Sequence, residues 1–208
     1  MVDDLLLLII SSPSGAGKTT LTRDLLAHFN DLTFSVSHTT RSPRTTEQDG
    51  RDYYFVSRPQ FDELVEQRAF VEWAEVHGNR YGTSLGELER ARMERKRGIV
   101  FDVDYQGARQ IRATRPDAIG VFVLPPTLED LRYRLRGRAS DDEETIERRF
   151  NKARSEIEQY GLFDYVVVND DLERAKQRMR SIIEAERAKR HRMAPLAEAL
   201  LRPTRTLR

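Results

Sequence analysis

The stretch LLLLIISSPSGAGKTTLTRDLLAHF, residues 5–29, sets the architecture of this chain of 208 residues. Six consecutive apolar residues at its start, residues 5–10, predict a strand buried on both faces, as in a parallel sheet. A helix is predicted over residues 19–29. Between them lies SPSGAGKT at residues 12–19, which matches the phosphate-binding pattern G-x-x-x-x-G-K-[ST] with Ser12 in place of the first glycine.

The chemistry of this loop depends on backbone N–H groups. Gly15 and Gly17 allow the chain to turn so that successive N–H groups face an anion, and the helix N-terminus adds partial positive charge. Lys18 is expected to reach the outer phosphates of a nucleoside triphosphate, and the Thr19 hydroxyl is expected to bind Mg²⁺. The alternative is an ordinary glycine-rich turn. The loop alone does not separate GTPases, ATPases and small-molecule kinases.

Short apolar runs alternate with longer amphipathic stretches along the chain. The runs that predict further buried strands are residues 99–103, 119–124 and 165–168. The stretches that predict helices, after residues 19–29, are residues 85–97, 107–114, 127–136 and 172–188. Alternation of this kind predicts an α/β fold with a parallel sheet and right-handed crossovers.

Two segments break this alternation. Residues 33–83 contain short alternating pieces, such as residues 70–76, and predict a small inserted lobe. Residues 134–150 are too charged to form a core, and we expect a solvated helix pair or a mobile lid there. The basic end of the chain contains Pro195 and Pro203, which predicts a helix end followed by a loose tail.

The composition excludes several classes of protein. Acidic and basic residues number 34 and 35, so the net charge is +1, which argues against a general nucleic-acid coat or a membrane-surface protein. The absence of cysteine excludes a disulfide framework, a zinc ribbon and a thiol nucleophile. The apolar run at residues 5–10 is too short for a signal peptide or a membrane span. We therefore expect a cytoplasmic protein with no nucleic-acid or membrane partner.

A second site is indicated by the segment SVSHTTRSPRTTEQDGRDYYF, residues 35–55. Arg41 and Arg44 lie three residues apart around a proline, and Tyr53 follows. Two guanidinium groups and a phenol hydroxyl suit a dianionic phosphate. Taken singly, each residue also has an ordinary explanation, because an arginine in a chain with thirty arginines is usually a surface charge.

Taken together, the motifs resemble the guanylate kinase family, whose members phosphorylate GMP. The similarity spans residues 5–188 and rests on SVSHTTR with PR (residues 35–44), DGRDYYF (49–55), FVEWAEVHGNRYGT (70–83), VFDVDYQG (100–107), a lid of GR type and VVVNDDL (166–172). It implies a P-loop three-layer sandwich with a parallel core sheet, an inserted mixed α/β GMP-binding lobe and a short helical lid. The implied single domain divides into a core (1–34, 84–133 and 151–190), the lobe (35–83), the lid (134–150) and a tail (191–208).

The resemblance also implies a GMP site. Residues expected to hold the GMP phosphate are Arg41, Arg44, Tyr53 and Tyr81; those expected to read the guanine are Ser37, Glu72, Thr83 and Asp104. Asp102 is grouped with this site and is expected close to Mg²⁺ and the phosphates. Guanine presents N1–H and N2–H₂ as neighbouring donors, and one carboxylate accepts from both, whereas adenine offers an acceptor at that place. The alternative for Asp102 and Asp104 is a capping role between strand and helix.

The ATP site implied by the resemblance comprises Ser12, Pro13, Ser14, Gly15, Ala16, Gly17, Lys18, Thr19, Thr20, Asn169 and Asp170. The implied catalytic set comprises Lys18, Arg41, Asp102, Arg134, Arg138 and Arg149. Mg²⁺ is expected to enter with ATP and to be held through Thr19. Asn169 and Asp170 also suit a helix start, which is their alternative role. Two residues depart from the family pattern, Ser12 and Thr46, since relatives often have glycine at both places.

The expected reaction converts ATP and GMP to ADP and GDP, a step in purine nucleotide metabolism, with dGMP as a further acceptor. The phosphate of GMP is already ionised near neutral pH, so alignment and charge neutralisation are expected to suffice without a general base. The alternatives are a related phosphate-loop kinase that acts on a phosphorylated ribose, and a non-catalytic guanylate-kinase-like binding module. The sequence does not indicate whether the chain is a monomer or a homo-oligomer.

Overall fold

The computed structural model describes residues 5–76, 78–136 and 142–201. The strands within these residues are β1 (Leu6–Ser11), β2 (Leu32–Phe34), β3 (His38–Thr39), β4 (Tyr54–Phe55), β5 (Phe70–Val76), β6 (Asn79–Ser84), β7 (Gly98–Asp102), β8 (Ile119–Leu124) and β9 (Tyr165–Val168). The helices are α1 (Lys18–His28), α2 (Arg58–Glu66), α3 (Gly86–Met93), α4 (Tyr105–Thr114), α5 (Leu128–Arg136), α6 (Glu143–Ile157), α7 (Leu172–Arg187) and α8 (Arg190–Leu201).

The main sheet has five parallel strands in the order β2-β7-β1-β8-β9. Successive side chains of a strand point to opposite faces, so β1 contributes to two cores. Leu8 and its neighbours at even positions pack with α1 and α7, while Ile9 and its odd-numbered neighbours pack with α3 and α4. A strand covered on both faces needs apolar residues at every position, which explains the run at residues 5–10. The predicted α/β fold with a parallel core sheet is confirmed.

A second, mixed sheet is inserted between β2 and α3. Its order is β4-β3-β6-β5, with β3 parallel to β4 and the remaining pairs antiparallel. Helix α2 covers it through Phe61, whose ring stacks on Phe70 with 4.6 Å between centroids. This sheet forms one wall of the cleft described below.

The sequence pattern missed several elements, among them β2 and α2. Strand β2 has only three residues, too few for a period to be detected. Helix α2 carried a readable signal, because Ser57 and Gln60 form a capping box: the Ser57 hydroxyl accepts from the Gln60 N–H, and the Gln60 side chain accepts from the Ser57 N–H at 2.8 Å.

The expectation that residues 134–150 cannot form a core is wrong. Helices α5 and α6 bury a small apolar cluster of their own, composed of Leu131, Leu135, Ile146, Phe150 and Ala153. The many charges of this segment lie on the outer helix faces, so the amphipathic period outweighs the overall composition. Residues 137–141, which join the two helices, lie outside the described residues.

The loose tail expected after residue 190 is also corrected for its first part. Residues Arg190–Leu201 form α8, with Pro195 inside the helix. Alanine, leucine, methionine and glutamate dominate this segment, and their helix propensity compensates for the proline. None of the described helices is long and apolar enough to cross a membrane.

The crossing from β2 into the second sheet is fixed by Glu87 of α3. Its side chain is 3% exposed and accepts from the Val36 N–H at 2.7 Å and from Arg90 Nη2 at 2.8 Å. Arg90 also donates to the carbonyl oxygen of Phe34 at 2.7 Å. A buried ion pair therefore holds residues 34–36, which lead directly to Ser37 in the cleft.

Candidate functional site

The loop between β1 and α1 encloses a cavity of about 310 Å³. Gly15 and Gly17 have φ values of 94° and 101°, a conformation that side chains disfavour. Gly17 has a second constraint, because a Cβ there would lie 2.3 Å from the Asn169 side-chain nitrogen. The predicted loop residues line this cavity: Ser12, Pro13, Ser14, Gly15, Gly17, Lys18, Thr19 and Thr20.

The two departures from the family pattern are compatible with the backbone. Among the described non-glycine residues, positive φ values occur at Arg68 and Arg95. Ser12 and Thr46 therefore have ordinary φ angles that any residue adopts. The Ser12 hydroxyl donates to the carbonyl oxygen of Pro13 at 3.0 Å, which gives the serine a local contact at the start of the loop.

Lys18 forms an ion pair with Asp102. Asp102 ends β7, which lies beside β1, and Ile10 is its partner in the register. Asp102 thus lies at the carboxyl end of β7, and Lys18 begins the helix that follows the carboxyl end of β1. Open sheets bind ligands at this edge. Their side chains are 22% and 20% exposed, so the pair faces the cleft without being fully solvated.

A cleft of about 180 Å³ separates the phosphate loop from the second sheet. The polar residues that line it are Lys18, Ser37, Tyr53, Glu72, Tyr81, Asp102 and Asp104. These residues come from the phosphate loop and from residues 35–55, 70–83 and 100–107. The two that are farthest apart in the sequence, Lys18 and Asp104, are separated by 86 positions. The structure therefore brings together three residues that the resemblance assigns to guanine (Ser37, Glu72 and Asp104) and two that it assigns to phosphate (Tyr53 and Tyr81). Arg41, Arg44 and Thr83 do not line this cleft.

Glu72 lies on β5 and is 5% exposed. Its Oε1 accepts from the Thr83 N–H at 3.0 Å, and the Thr83 hydroxyl lies 3.1 Å from that of Ser37. Burial raises the pKa of Glu72 to about 7; hydrogen bonds from Thr83 oppose this shift, and the negative charge of Asp104 adds to it. A buried carboxylate in this position gains greatly from a ligand that donates hydrogen bonds.

Gly107 gives Glu72 the room it needs. A Cβ on Gly107 would lie 2.8 Å from Glu72 Oε2. Asp104 occupies the start of the same helix, α4, where its Oδ1 accepts from the Gln106 and Gly107 N–H groups at 3.0 Å each. Asp104 therefore performs the capping role that was its alternative, and it lines the cleft at the same time.

Arg41 is held by Glu47, a residue for which the sequence predicted no role. Arg41 Nη2 donates to the two Glu47 oxygens at 2.8 and 2.9 Å, and its guanidinium lies 5.4 Å from the Tyr53 ring centroid. Burial alone lowers the pKa of Arg41, but hydrogen bonds and charge interactions with Glu47 and Tyr81 outweigh it and raise the pKa. Arg44 is exposed, and its backbone N–H donates to Glu47 at 2.8 Å.

The rings of Tyr53 and Tyr81 contact each other edge to face in the wall of the cleft, with their centroids 5.9 Å apart. Burial, and then the nearby charge of Asp102, raises the pKa of Tyr53. The Tyr53 phenol is therefore a neutral hydrogen-bond donor at physiological pH. Together with the neighbouring Arg41, the two tyrosines form a group of donors on one side of the cleft.

Residues of the lid and the residue that follows β9 contact each other and the phosphate loop. Arg134 Nη2 donates to the carbonyl oxygen of Asn169 at 3.0 Å, and the Asn169 side chain donates to that of Ala16 at 2.8 Å. Arg149 Nη2 donates to the Ser14 hydroxyl at 3.0 Å. Arg138 lies outside the described residues.

Asp170 lies apart from these contacts. Its Oδ1 accepts from the Asp171 N–H at 2.8 Å, and its carboxylate pairs with Arg174 and Arg178 on α7. Asp171, not Asp170, caps α7 by accepting from the Arg174 N–H.

Two acidic residues of the site, Glu47 and Glu156, were missed. Glu156 lies on α6 and lines the phosphate-loop cavity. Neither residue stands in a sequence pattern that distinguishes it from the surrounding charged residues. Each is recognised as part of the site only from the residues that lie near it in the structure. Within residues 5–76, 78–136 and 142–201, no group of three or more His, Cys, Asp or Glu residues could hold a metal ion.

Comparison with known proteins identifies the family of this chain. The family model described as "Guanylate kinase" matches residues 5–186. The chain is 51% identical to the guanylate kinase of Myxococcus xanthus (strain DK1622) over 189 residues, which cover 90% of each chain. It is 50% identical to that of Neisseria meningitidis serogroup A over 193 residues, covering 93% of this chain and 94% of the relative.

The fold comparison agrees with the sequence comparison. The crystal structure of guanylate kinase from Anaplasma phagocytophilum superimposes with a TM-score of 0.72 at 32% identity, covering 90% of this chain and 88% of that one. The α/β fold with its parallel five-stranded sheet agrees with these matches. The chain belongs to the guanylate kinase family.

Proposed function

We propose that this chain transfers the γ-phosphoryl group of ATP to the phosphate of GMP and so forms ADP and GDP. One observation carries the proposal: Lys18 of the phosphate loop and the buried carboxylate of Glu72 line the same cleft of about 180 Å³. A triphosphate at the loop and a guanine at Glu72 would therefore direct their phosphates toward each other. Holding two reactants in this way removes much of the entropic barrier.

Glu72 selects the base in this proposal. Its free Oε2 side, kept open by Gly107, accepts from guanine N1–H and N2–H₂, while Oε1 stays on the Thr83 N–H. Adenine would place an acceptor against the carboxylate and leave a buried charge unpaired, which is strongly unfavourable. Ser37 and Thr83 add hydroxyls on the same wall of the site. Because these contacts involve the base alone, dGMP is also an acceptor.

The phosphate of GMP is held by Arg41, Arg44, Tyr53 and Tyr81. Arg41 is already oriented by Glu47 and by the Tyr53 ring, so little side-chain entropy is lost when a phosphate arrives. Arg44 follows on the same loop as an exposed cation that turns inward on binding. Arginine forks and phenol donors fit the oxygens of a dianionic phosphate.

ATP binds at the phosphate loop, where backbone N–H groups and Lys18 neutralise its phosphates. The donor set fits Mg²⁺, which takes one or two protein oxygens and completes its shell with phosphates and water. Thr19 supplies the hydroxyl oxygen. The carboxylate of Asp102 lies nearby, in its ion pair with Lys18. When bound, Mg²⁺ neutralises the charge of the transferring phosphoryl group. Arg134 and Arg149 from the lid add positive charge on the same side, and Arg138 is the third arginine of the proposed set.

The acceptor oxygen needs no general base, because a phosphate dianion is already a nucleophile. Catalysis is then alignment and electrostatic stabilisation by Lys18 and the arginines. The second sheet and the lid approach the cleft from opposite sides, and their closure excludes water from the transferable phosphate.

Two other functions are not favoured. A kinase for a phosphorylated ribose has no use for a buried base-reading carboxylate, and Glu72 with Thr83 and Ser37 argues against it. A non-catalytic binding module does not require an intact loop, whereas Gly15, Gly17 and Lys18 are all in place here.

ADP release in a coupled assay with ATP and each of GMP, AMP, CMP, UMP and a phosphorylated ribose separates the three functions. We expect GMP to exceed the other acceptors in kcat/KM by about 100-fold or more, the range that paired polar groups achieve. Equal rates with several acceptors, a preference for the ribose, or no acceptor-dependent ADP release would overturn the proposal.

A further inference from the structure

Glu156 is an acidic side chain in an anion-binding cavity. It lies on α6 and lines the cavity formed by the phosphate loop, and its side chain is 15% exposed. The Ser14 backbone N–H lowers the pKa of this carboxyl, so it favours the ionised form. A carboxylate thus lies in the cavity of a loop whose geometry collects N–H groups for phosphate.

The charged groups around Glu156 come from three elements. Lys152 on the same helix places its Nζ 3.8 Å from Glu156 Oε1. Lys18 of α1 attracts the carboxylate, and Asp104 at the start of α4 repels it. Burial raises the pKa of Glu156, and these lysines and the Ser14 N–H oppose that shift. The cations that favour a carboxylate here are the same ones that would favour a phosphate.

The same helix also carries a cation to the loop. Arg149 lies seven residues before Glu156, two helical turns away on the same face, and donates to the Ser14 hydroxyl. One helix therefore places an arginine on Ser14 and a glutamate in the cavity that Ser14 lines. The arriving triphosphate attracts the first and repels the second, so these two side chains respond to it with opposite sign.

We propose that Glu156 is a resident counter-anion of the phosphate loop: its carboxylate lies in the loop cavity while the loop is empty and is displaced when the phosphates of ATP enter. The inference rests on the proposed ATP-binding role of the loop. Its consequence is that ATP binding includes the work of displacing a carboxylate, and that this displacement moves α6, the helix that carries Arg149. Glu156 acts as a positioning residue and takes no part in the transfer.

Calorimetric titration with Mg²⁺-ATP and, separately, with GMP tests the inference. Glu156→Gln and Glu156→Ala both remove the charge, while Glu158→Gln removes a charge from an exposed position two residues later. We expect both Glu156 variants to bind Mg²⁺-ATP about tenfold more tightly than the unaltered chain. Glu158→Gln should match the unaltered chain, and the affinity for GMP should be the same in all four proteins.

The sign of the change separates this role from a structural one. A side chain that only supports the loop weakens ATP binding when it is truncated, so unchanged or weaker binding in the Glu156 variants overturns the inference. Failure of the unaltered chain to bind Mg²⁺-ATP would instead overturn the proposed function. Melting temperatures of all four proteins establish that the affinities belong to folded chains.

Discussion

The side-chain amide of Asn169 donates a hydrogen bond to the carbonyl oxygen of Ala16 across 2.8 Å, and so joins the end of β9 to the phosphate loop. The two residues are 153 positions apart in the chain. Arg134 adds a second brace, because its guanidinium donates to the Asn169 carbonyl oxygen at 3.0 Å. The shape of the loop thus depends on contacts from behind it as well as on its own glycines.

Gly17→Ala is expected to disable ATP binding. The added Cβ would lie 2.3 Å from Asn169 Nδ2, and the φ of 101° is strained for any side chain. We expect kcat/KM for ATP to fall by about 100-fold or more, measured in the ADP-release assay. Gly161→Ala is the matched control, since a Cβ there meets no atom within 4 Å. Comparable loss of activity in both variants would contradict the role of the Asn169 contact.

Lys18→Ala is expected to act on turnover. Lys18 faces the cleft beside Asp102, where charge develops on the transferring group. Removing one electrostatic contact of this kind costs about 10²–10³-fold in kcat. Lys96→Ala, which removes a lysine whose Nζ donates to the Asn30 carbonyl oxygen, should leave kcat unchanged. A Lys18→Ala turnover within a few-fold of the unaltered enzyme would refute the assignment.

The KM for GMP is expected to depend on the ionisation of Glu72. Its pKa is raised to about 7 by burial, so the carboxyl is largely protonated at pH 6 and largely ionised at pH 8. Only the ionised form accepts from both guanine donors, so KM for GMP should fall about tenfold over this interval. In Glu72→Gln, the part of the pH dependence of KM that comes from Glu72 should disappear. The part that comes from the ionisation of GMP itself should remain the same in both proteins. An equal pH dependence in both would exclude the role.

Glu72 also makes stability depend on pH. A carboxyl whose pKa is higher in the folded state than in the unfolded state contributes stability that is fully present below about pH 4.5 and is lost as pH rises through about 7. The loss is ~3 kcal/mol for a shift of this size. Urea unfolding of Glu72→Gln at pH 5 and pH 8 should therefore show a smaller decrease in stability than the unaltered chain. A larger decrease would show that the sign is wrong.

Arg44→Met is expected to raise the KM for GMP more than the KM for ATP. Arg44 follows Arg41 on the same loop and is assigned to the acceptor phosphate. We expect about a tenfold increase for GMP, in line with the loss of a charged hydrogen bond. Arg58→Met, at an exposed position on α2, is the matched control. An effect confined to ATP would place Arg44 on the other substrate.

Glu87→Ala is expected to destabilise the fold. Glu87 is 3% exposed and accepts from the Val36 N–H and from Arg90, so its removal leaves the Val36 amide without its acceptor, while Arg90 keeps Glu94 as a partner. Leaving a buried donor unsatisfied costs about 1–3 kcal/mol in the free energy of unfolding. Glu89→Ala, an exposed position on the same helix, should change it by less than about 0.5 kcal/mol. Equal unfolding midpoints would contradict the bracing role.

Local signals were sufficient for the core of the fold. The run at residues 5–10, the glycines of the loop and the helix that follows are consecutive in sequence, and each was predicted from its own neighbours. Strands β8 and β9 have the predicted bounds. The predictions for the charged lid and for the tail were less accurate. In the lid, Ile146 and Phe150 are too few to make an apolar period visible among the charged residues around them. In the tail, the proline of α8 indicated a break in the helix, but the helix continues through it.

The sequence alone determined the chemistry that a short segment carries by itself: a loop that collects N–H groups around an anion, and a parallel sheet that presents it. Only the tertiary structure showed that Glu47 holds Arg41, that Glu156 lines the phosphate-loop cavity, and that Asn169 supports Ala16. The contacts of Glu156 and Asn169 join residues more than 130 positions apart in one chain. Hydrogen bonds over such separations depend on how helices and strands pack, and no local pattern of residue types specifies that packing.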